Sequence, residues 1–209
     1  MKIAVVAAKG KAGRLIVDEA IDRGLEVTVF ERSVNKTKAQ RAVIKDIMDI
    51  TKEDLEGFDA VVDAFGIFDP EKLSLHTKTS QHLSDCLAHR KTRLLIVGGA
   101  GSLYVDKQHK VQVLDTPDFP KEYYPLARAQ VDELEAMRGR NDVQWTFISP
   151  AMDFRPGAAK TEKYEVSGEE AIFNQNNESI ISYADYVAAL VDEIINGNYR
   201  QQRIGVIQS

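Results

Sequence analysis

The sequence predicts an α/β fold, a doubly wound parallel sheet with crossover helices, and three features of its 209 residues carry that prediction. Short β-branched runs alternate with amphipathic stretches over the first sixty residues, the pattern of strands joined through helices. The turn Ala7-Ala8-Lys9-Gly10-Lys11-Ala12-Gly13 separates the first apolar run from the first amphipathic one. The alternation continues to the C-terminus without an internal repeat or low-complexity tract, so residues 1–209 read as a single domain.

Residues 2–8 are expected to form a buried strand. In residues 12–23, Ala12, Leu15, Ile16, Ala20 and Ile21 share one helical face, Arg14, Asp18, Asp22 and Arg23 turn outward, and Gly24 stops the helix. Strands follow at 26–30, 41–45 and 59–64, then a helix over 71–89 and a fifth strand at 93–97. Residues 102–120 sustain no period and suggest a lid or rim beside a binding mouth. Beyond them come a helix over 124–138, a sixth strand at 144–148 and a Gly- and Asn-rich stretch, 149–182, that would contribute a small C-terminal substrate lobe with a weak strand signal at 163–166. Ser182-Tyr183-Ala184-Asp185 has capping-box spacing and opens a helix burying Val187, Ala188, Val191 and Ile194, which stops at Gly197 before a last strand at 203–207.

The formal net charge is -5 and the basic residues are scattered, so no nucleic-acid footprint is expected. No apolar run approaches the roughly 20 residues that would span a bilayer. The single cysteine, Cys86, cannot form an internal disulfide, and without a charged-then-apolar leader the expected setting is cytoplasmic. His76, His82 and His89 share one predicted helix, but their six- and seven-residue steps argue against a metal site. A small-molecule substrate is the expected partner, and the helix faces suit either a monomer or a homodimer.

A strand giving way to a helix N-terminus favours a pyrophosphate, because free backbone N–H groups and the helix dipole face the anion. The turn keeps Gly10 and Gly13 but has Ala7 where the three-glycine pattern begins, and its place at the start of a βαβ unit identifies a Rossmann-type dinucleotide loop. At the end of the second strand an acidic side chain binds a ribose 2′-hydroxyl, whereas arginine pairs with a 2′-phosphate. Both occur, as Glu31-Arg32, and Arg32 lies nineteen residues after Gly13 with Lys9 and Arg14 adding positive charge nearby. The expectation is NADP, with NAD the alternative. Glu31 either contacts the cofactor or pairs in solvent with a lysine such as Lys36.

The segments Ala8-Lys9-Gly10-Lys11-Ala12-Gly13 and Glu26-Val27-Thr28-Val29-Phe30-Glu31-Arg32 resemble the atypical short-chain dehydrogenases/reductases. Val97-Gly98-Gly99-Ala100-Gly101-Ser102-Leu103, Trp145-Thr146-Phe147-Ile148-Ser149-Pro150-Ala151 and Ile181-Ser182-Tyr183-Ala184-Asp185-Tyr186 are similar to the branch named putative NAD(P)H-flavin reductases, which is related to biliverdin reductase B and the NmrA-like regulators. The resemblance covers nearly the whole chain. It implies that Ala7, Lys9, Gly10, Lys11, Ala12 and Gly13 hold the pyrophosphate and that Asp46 and Ile47 contact adenine. It further implies that Ala64, Phe65 and Gly66 run under the adenosine ribose and that Pro150, Ala151 and Met152 flank the nicotinamide carboxamide.

Two departures matter. Ala7 replaces the first glycine, which bears on loop geometry. The Tyr-x-x-x-Lys pair of typical short-chain dehydrogenases occurs only as Tyr124-Pro125-Leu126-Ala127-Arg128, and arginine does not titrate as lysine does. Tyr124 is nevertheless a candidate acid, or else a substrate wall. Ser102 is a candidate hydrogen-bond donor to substrate, or a turn residue, and His76 a candidate proton donor facing the pocket. Phe65, Phe68, Tyr104, Met152 and Phe154 follow strand ends and could wall a flat ring system, or belong to the core. The expected function is NAD(P)H-dependent reduction of FMN, another flavin or a similar conjugated acceptor, which needs positioning more than acid–base groups. The alternative is a non-catalytic NmrA-like redox sensor that acts through a protein partner.

Overall fold

In the computed structural model, which describes residues 1–209, ten strands and four helices follow one another along the chain. They are β1 (Lys2–Val6), α1 (Lys11–Asp22), β2 (Glu26–Glu31), β3 (Arg41–Ile44), β4 (Ala60–Asp63), α2 (Leu75–Leu87) and β5 (Arg93–Val97), then α3 (Tyr124–Arg138), β6 (Gln144–Pro150), β7 (Asp153–Arg155), β8 (Tyr164–Ser167), β9 (Ile180–Ser182), α4 (Tyr183–Asn196) and β10 (Gln202–Gln208). Ile3 to Val6, all four residues of β4 and nearly all of β5 and β6 are buried, which is how strands covered on both faces must read.

The main sheet has the order β3-β2-β1-β4-β5-β6-β10-β8. Every neighbouring pair is parallel except the last, where β8 runs antiparallel to β10. The chain moves outward from β1 to β3, then returns to lay β4 on the other side of β1. The C-terminal ends of β1 and β4 therefore flank a topological switch point, where ligands of doubly wound sheets lie. One face of the sheet packs against α1 and α4 through Ile16, Val17, Tyr186, Leu190 and Ile194. The other packs against α2 and α3 through Leu83, Leu87, Leu134 and Met137.

Three local results differ from the expected elements. Residues 71–74 are not part of α2: Asp69 accepts the Glu71 N–H and Pro70–Lys72 make a single 3-10 turn first. The stretch 149–182 contains β7 and β9, which pair in parallel as a separate ribbon, Asp153 opposite Ile180 and Arg155 opposite Ser182. It also contains β8, which joins the main sheet. The α4 boundaries follow the sequence signals: Ser182 Oγ accepts the Asp185 N–H at 2.9 Å, and Gly197 closes the helix at φ +65°. No helix is long and apolar enough to cross a membrane.

Candidate dinucleotide site

The chain leaves β1 at Ala7, which sits in the left-handed region at φ +58°. Its N–H donates to the Phe30 carbonyl at 3.1 Å, tying the turn to the end of β2. The conformation of the missing glycine is thus kept by a residue with a Cβ, at a cost of about 1 kcal/mol. Gly13 has no such latitude. A Cβ there would lie 2.7 Å from Ala8 Cα and 2.9 Å from the Ala8 carbonyl atoms, so only glycine lets α1 press onto the turn. Gly10 caps α1 without a side-chain acceptor, and no acidic residue occupies the first helical turn, so the leading amides remain free for an anion.

Around this turn the cations are free. Lys11, Arg14 and Arg32 are exposed and form no ion pair, whereas Arg23, at the far end of α1, binds Glu19 at 3.0 Å and Asp192 at 2.8 Å. Lys9 Nζ donates to Ser33 Oγ just beyond β2. Glu31, the last residue of β2, is buried, and its Oε1 has no hydrogen-bond partner. Burial pushes its carboxyl above the usual range, while the Lys9 amide and the charges of Lys9, Arg32 and Arg14 pull it down. A tight glycine contact, free amides, an orphaned acceptor and unpaired cations fit a dinucleotide with its ribose and phosphates.

The neighbouring segments are placed as follows. Ala64 N–H donates to Val6 O at 3.1 Å, and Gly66 is exposed with open space where a Cβ would stand. Phe65 is half-buried, edge-on to His76 at 5.5 Å. Asp46 caps a short turn by accepting the Met48 N–H at 3.0 Å, while Ile47 is buried in the core. Pro150 and Ala151 are buried, and Met152 is exposed. Phe68 is 74 % exposed. Phe154 stacks on Tyr183 at 3.9 Å and Tyr104 on His109 at 4.7 Å.

The three candidate catalytic side chains are not joined by any hydrogen bond. Ser102 is buried, its Oγ accepting from Arg203 Nη1 at 3.4 Å and its carbonyl from Nη2 at 3.3 Å, and Arg203 also binds Glu169. His76 is buried, its Nε2 3.2 Å from the Ile67 carbonyl, and burial lowers its pKa, so the ring is neutral. Tyr124 opens α3 and is exposed, but Arg128 is committed to Asp132 through contacts of 3.0 and 2.7 Å.

Sequence reasoning named Asp185 only as part of a capping box and passed over the buried polar side chains of Asp63, Glu133 and Arg203. Asp185 accepts from Thr161 N and Glu162 N, both at 2.9 Å, and so pins the loop before β8 to α4. An acid ending the apolar run Ala60-Val61-Val62-Asp63 was a readable signal, as was Glu133 beside the Val131/Leu134 stripe of α3. Arg203 gave none, since its partners lie 34 and 101 residues away.

Fold and turn together define a nicotinamide-dinucleotide-binding domain of Rossmann type. The chain belongs to the NAD(P)H-binding family, whose model matches residues 7–194. It is 42 % identical to Bacillus subtilis YwnB, an uncharacterized protein, over 99 % of this chain and 98 % of that one. Among solved structures, a Streptococcus pneumoniae protein described as a putative NADH-flavin reductase superposes with a TM-score of 0.98 at 49 % identity, covering 100 % of both chains. A Bacteroides thetaiotaomicron protein described as a putative epimerase has a TM-score of 0.84 at 29 % identity, covering 99 % of this chain and 96 % of that one.

Proposed function

We propose that the protein is an NAD(P)H-dependent reductase of flavins or similar conjugated acceptors. The observation that carries this reading is the contrast at the site itself: the dinucleotide cradle is complete, while no acid–base set is assembled beside it. Bound there, a reduced nicotinamide supplies hydride to an acceptor. The residues of the chain bind and orient. The α1 amides and Gly10 would receive the pyrophosphate, and Ala64 to Gly66 the adenosine side. Pro150 to Met152 would flank the nicotinamide, with exposed Met152 and Phe68 offering apolar surface to a flat ring. Proton delivery can come from water, because a conjugated acceptor needs no lowered-pKa tyrosine. The Streptococcus pneumoniae relative points the same way.

The cofactor form proposed is NADP, carried by the unpaired guanidinium of Arg32, with the orphaned Glu31 oxygen available to a ribose hydroxyl. Purified protein mixed with NADPH and FMN should lose absorbance at about 340 nm, the reduced nicotinamide band. Cofactor binding without turnover of any flavin would overturn the reductase reading. That outcome, with a protein retained specifically by the cofactor-loaded form, favours the sensor instead. Its specific support is that Ser102, His76 and Arg128 are all held by structural partners.

A further inference from the structure

Three buried polar groups that cofactor binding does not use gather behind the exit of β4. Asp63 ends β4, His76 stands in the first turn of α2 and Glu133 in α3, and all three are 2 % exposed. Asp63 Oδ1 accepts the Phe65 N–H at 2.9 Å, and its Oδ2 has no partner. Glu133 Oε2 also has none and lies 3.8 Å from His76 Nδ1. Because the Ile67 carbonyl can only accept, His76 Nε2 carries the ring hydrogen and the neutral ring turns a lone pair at Nδ1 toward Glu133. Asp63's neighbours in β1 and β5, Val6 and Ile96, are apolar, and no lysine or arginine pairs with either carboxylate.

Two dry carboxylates without a cation cannot both stay ionised, so the cluster holds a proton. Burial and the charge of Asp63 push the Glu133 carboxyl well above the usual range, and burial raises Asp63 to about 6. Asp63 therefore ionises first, and the shared proton stays on Glu133, whose Oε2 faces His76 Nδ1 at 3.8 Å. Two of the three grip the β4 exit directly, and Glu133 stands behind His76. Asp63 holds the Phe65 amide, His76 holds the Ile67 carbonyl, and the Phe65 ring lies edge-on to the imidazole.

We propose that Asp63, His76 and Glu133 are positioning residues for the dinucleotide, a buried one-proton cluster that holds Ala64 to Ile67 in place and whose deprotonation loosens cofactor binding. This rests on the reading that Ala64 to Gly66 line the cofactor. The sign follows from charge: loss of the Glu133 proton sets two carboxylates against each other behind the segment and adds negative potential beside a polyanion.

The test is the dissociation constant of NADH, followed by nicotinamide fluorescence between about pH 6 and about pH 9, a range that brackets neutral. NADH lacks the 2′-phosphate, so no phosphate titration intrudes. Wild-type affinity should fall roughly tenfold across the range, the effect of a one-unit pKa shift on binding. Glu133→Gln, which keeps a donor and cannot ionise, should flatten the profile. Parallel slopes for wild type and Glu133→Gln would overturn the inference while leaving the function intact. Carbon-13 NMR of the free protein should show the Glu133 carboxyl protonated at neutral pH, and an ionised signal would overturn the cluster by itself. Folded protein that binds no NADH or NADPH at any pH would overturn the functional reading, and the positioning role with it.

Discussion

The two rims of the sheet's C-terminal edge are built on opposite plans. Beside β1 and β2, Lys11, Arg14 and Arg32 form no ion pair, the helix start has no side-chain cap and Glu31 keeps one buried oxygen without a partner. Beside β5 and β10 three arginines are paired: Arg203 binds Ser102 and Glu169, Arg138 binds Glu169 at 2.6 Å, and Arg128 binds Asp132. Unsatisfied polar groups are costly in a folded protein, and a ligand is one way to complete them. The difference teaches that polar groups beside β1 are left unpaired, as a charged ligand would require, while the arginines beside β5 and β10 brace the fold.

The largest effect expected comes from β4, between the rims. Asp63 has a raised pKa in the folded protein, so its stabilising contribution is complete below about pH 4 and is lost as pH rises through about 6. A shift of about two units corresponds to roughly 3 kcal/mol for a fully buried group. Asp63→Asn, which keeps an acceptor for the Phe65 amide, should gain up to that much on wild type between about pH 4 and about pH 8, read by urea unfolding. Equal pH profiles would mean that Asp63 is ionised without penalty.

Gly13→Ala attacks the phosphate rim. Its Cβ meets backbone, so a destabilisation of about 1–3 kcal/mol is expected in thermal melting, together with loss of NADPH binding. Arg32→Asp should weaken NADPH by roughly 10–100-fold and NADH far less, given about 1.5–3 kcal/mol for a charge-assisted bond. Equal losses in fluorescence titration would remove Arg32 as the 2′-phosphate ligand. Ala7→Gly relieves a left-handed alanine but frees the unfolded chain, so the net gain should stay below about 1 kcal/mol, with NADPH affinity unchanged. Arg128→Ala should alter flavin turnover less than about twofold, because an exposed i,i+4 pair contributes only about 0.3–0.5 kcal/mol. A larger fall would show the opposite rim to be catalytic after all.

The phosphate rim was legible because everything that builds it is local. One strand, one turn and one helix within Lys2–Asp22 carry their own period and their own glycines. The scaffold rim was not, since the burial of Ser102 depends on an arginine 101 residues later. The same holds for the cluster behind β4, drawn from a strand end and two helices. Strands β7 and β9 escaped for another reason: three residues cannot display an alternation, and each finds its partner only across the intervening loop.

The antiparallel strand β8 covers what would otherwise be the open edge of β10. The stretch between β6 and α4 is therefore the seal on the sheet, and swinging it away as a unit would bare a buried strand to intermolecular pairing. A chain built this way keeps its last parallel strand paired and guards itself against edge-to-edge aggregation.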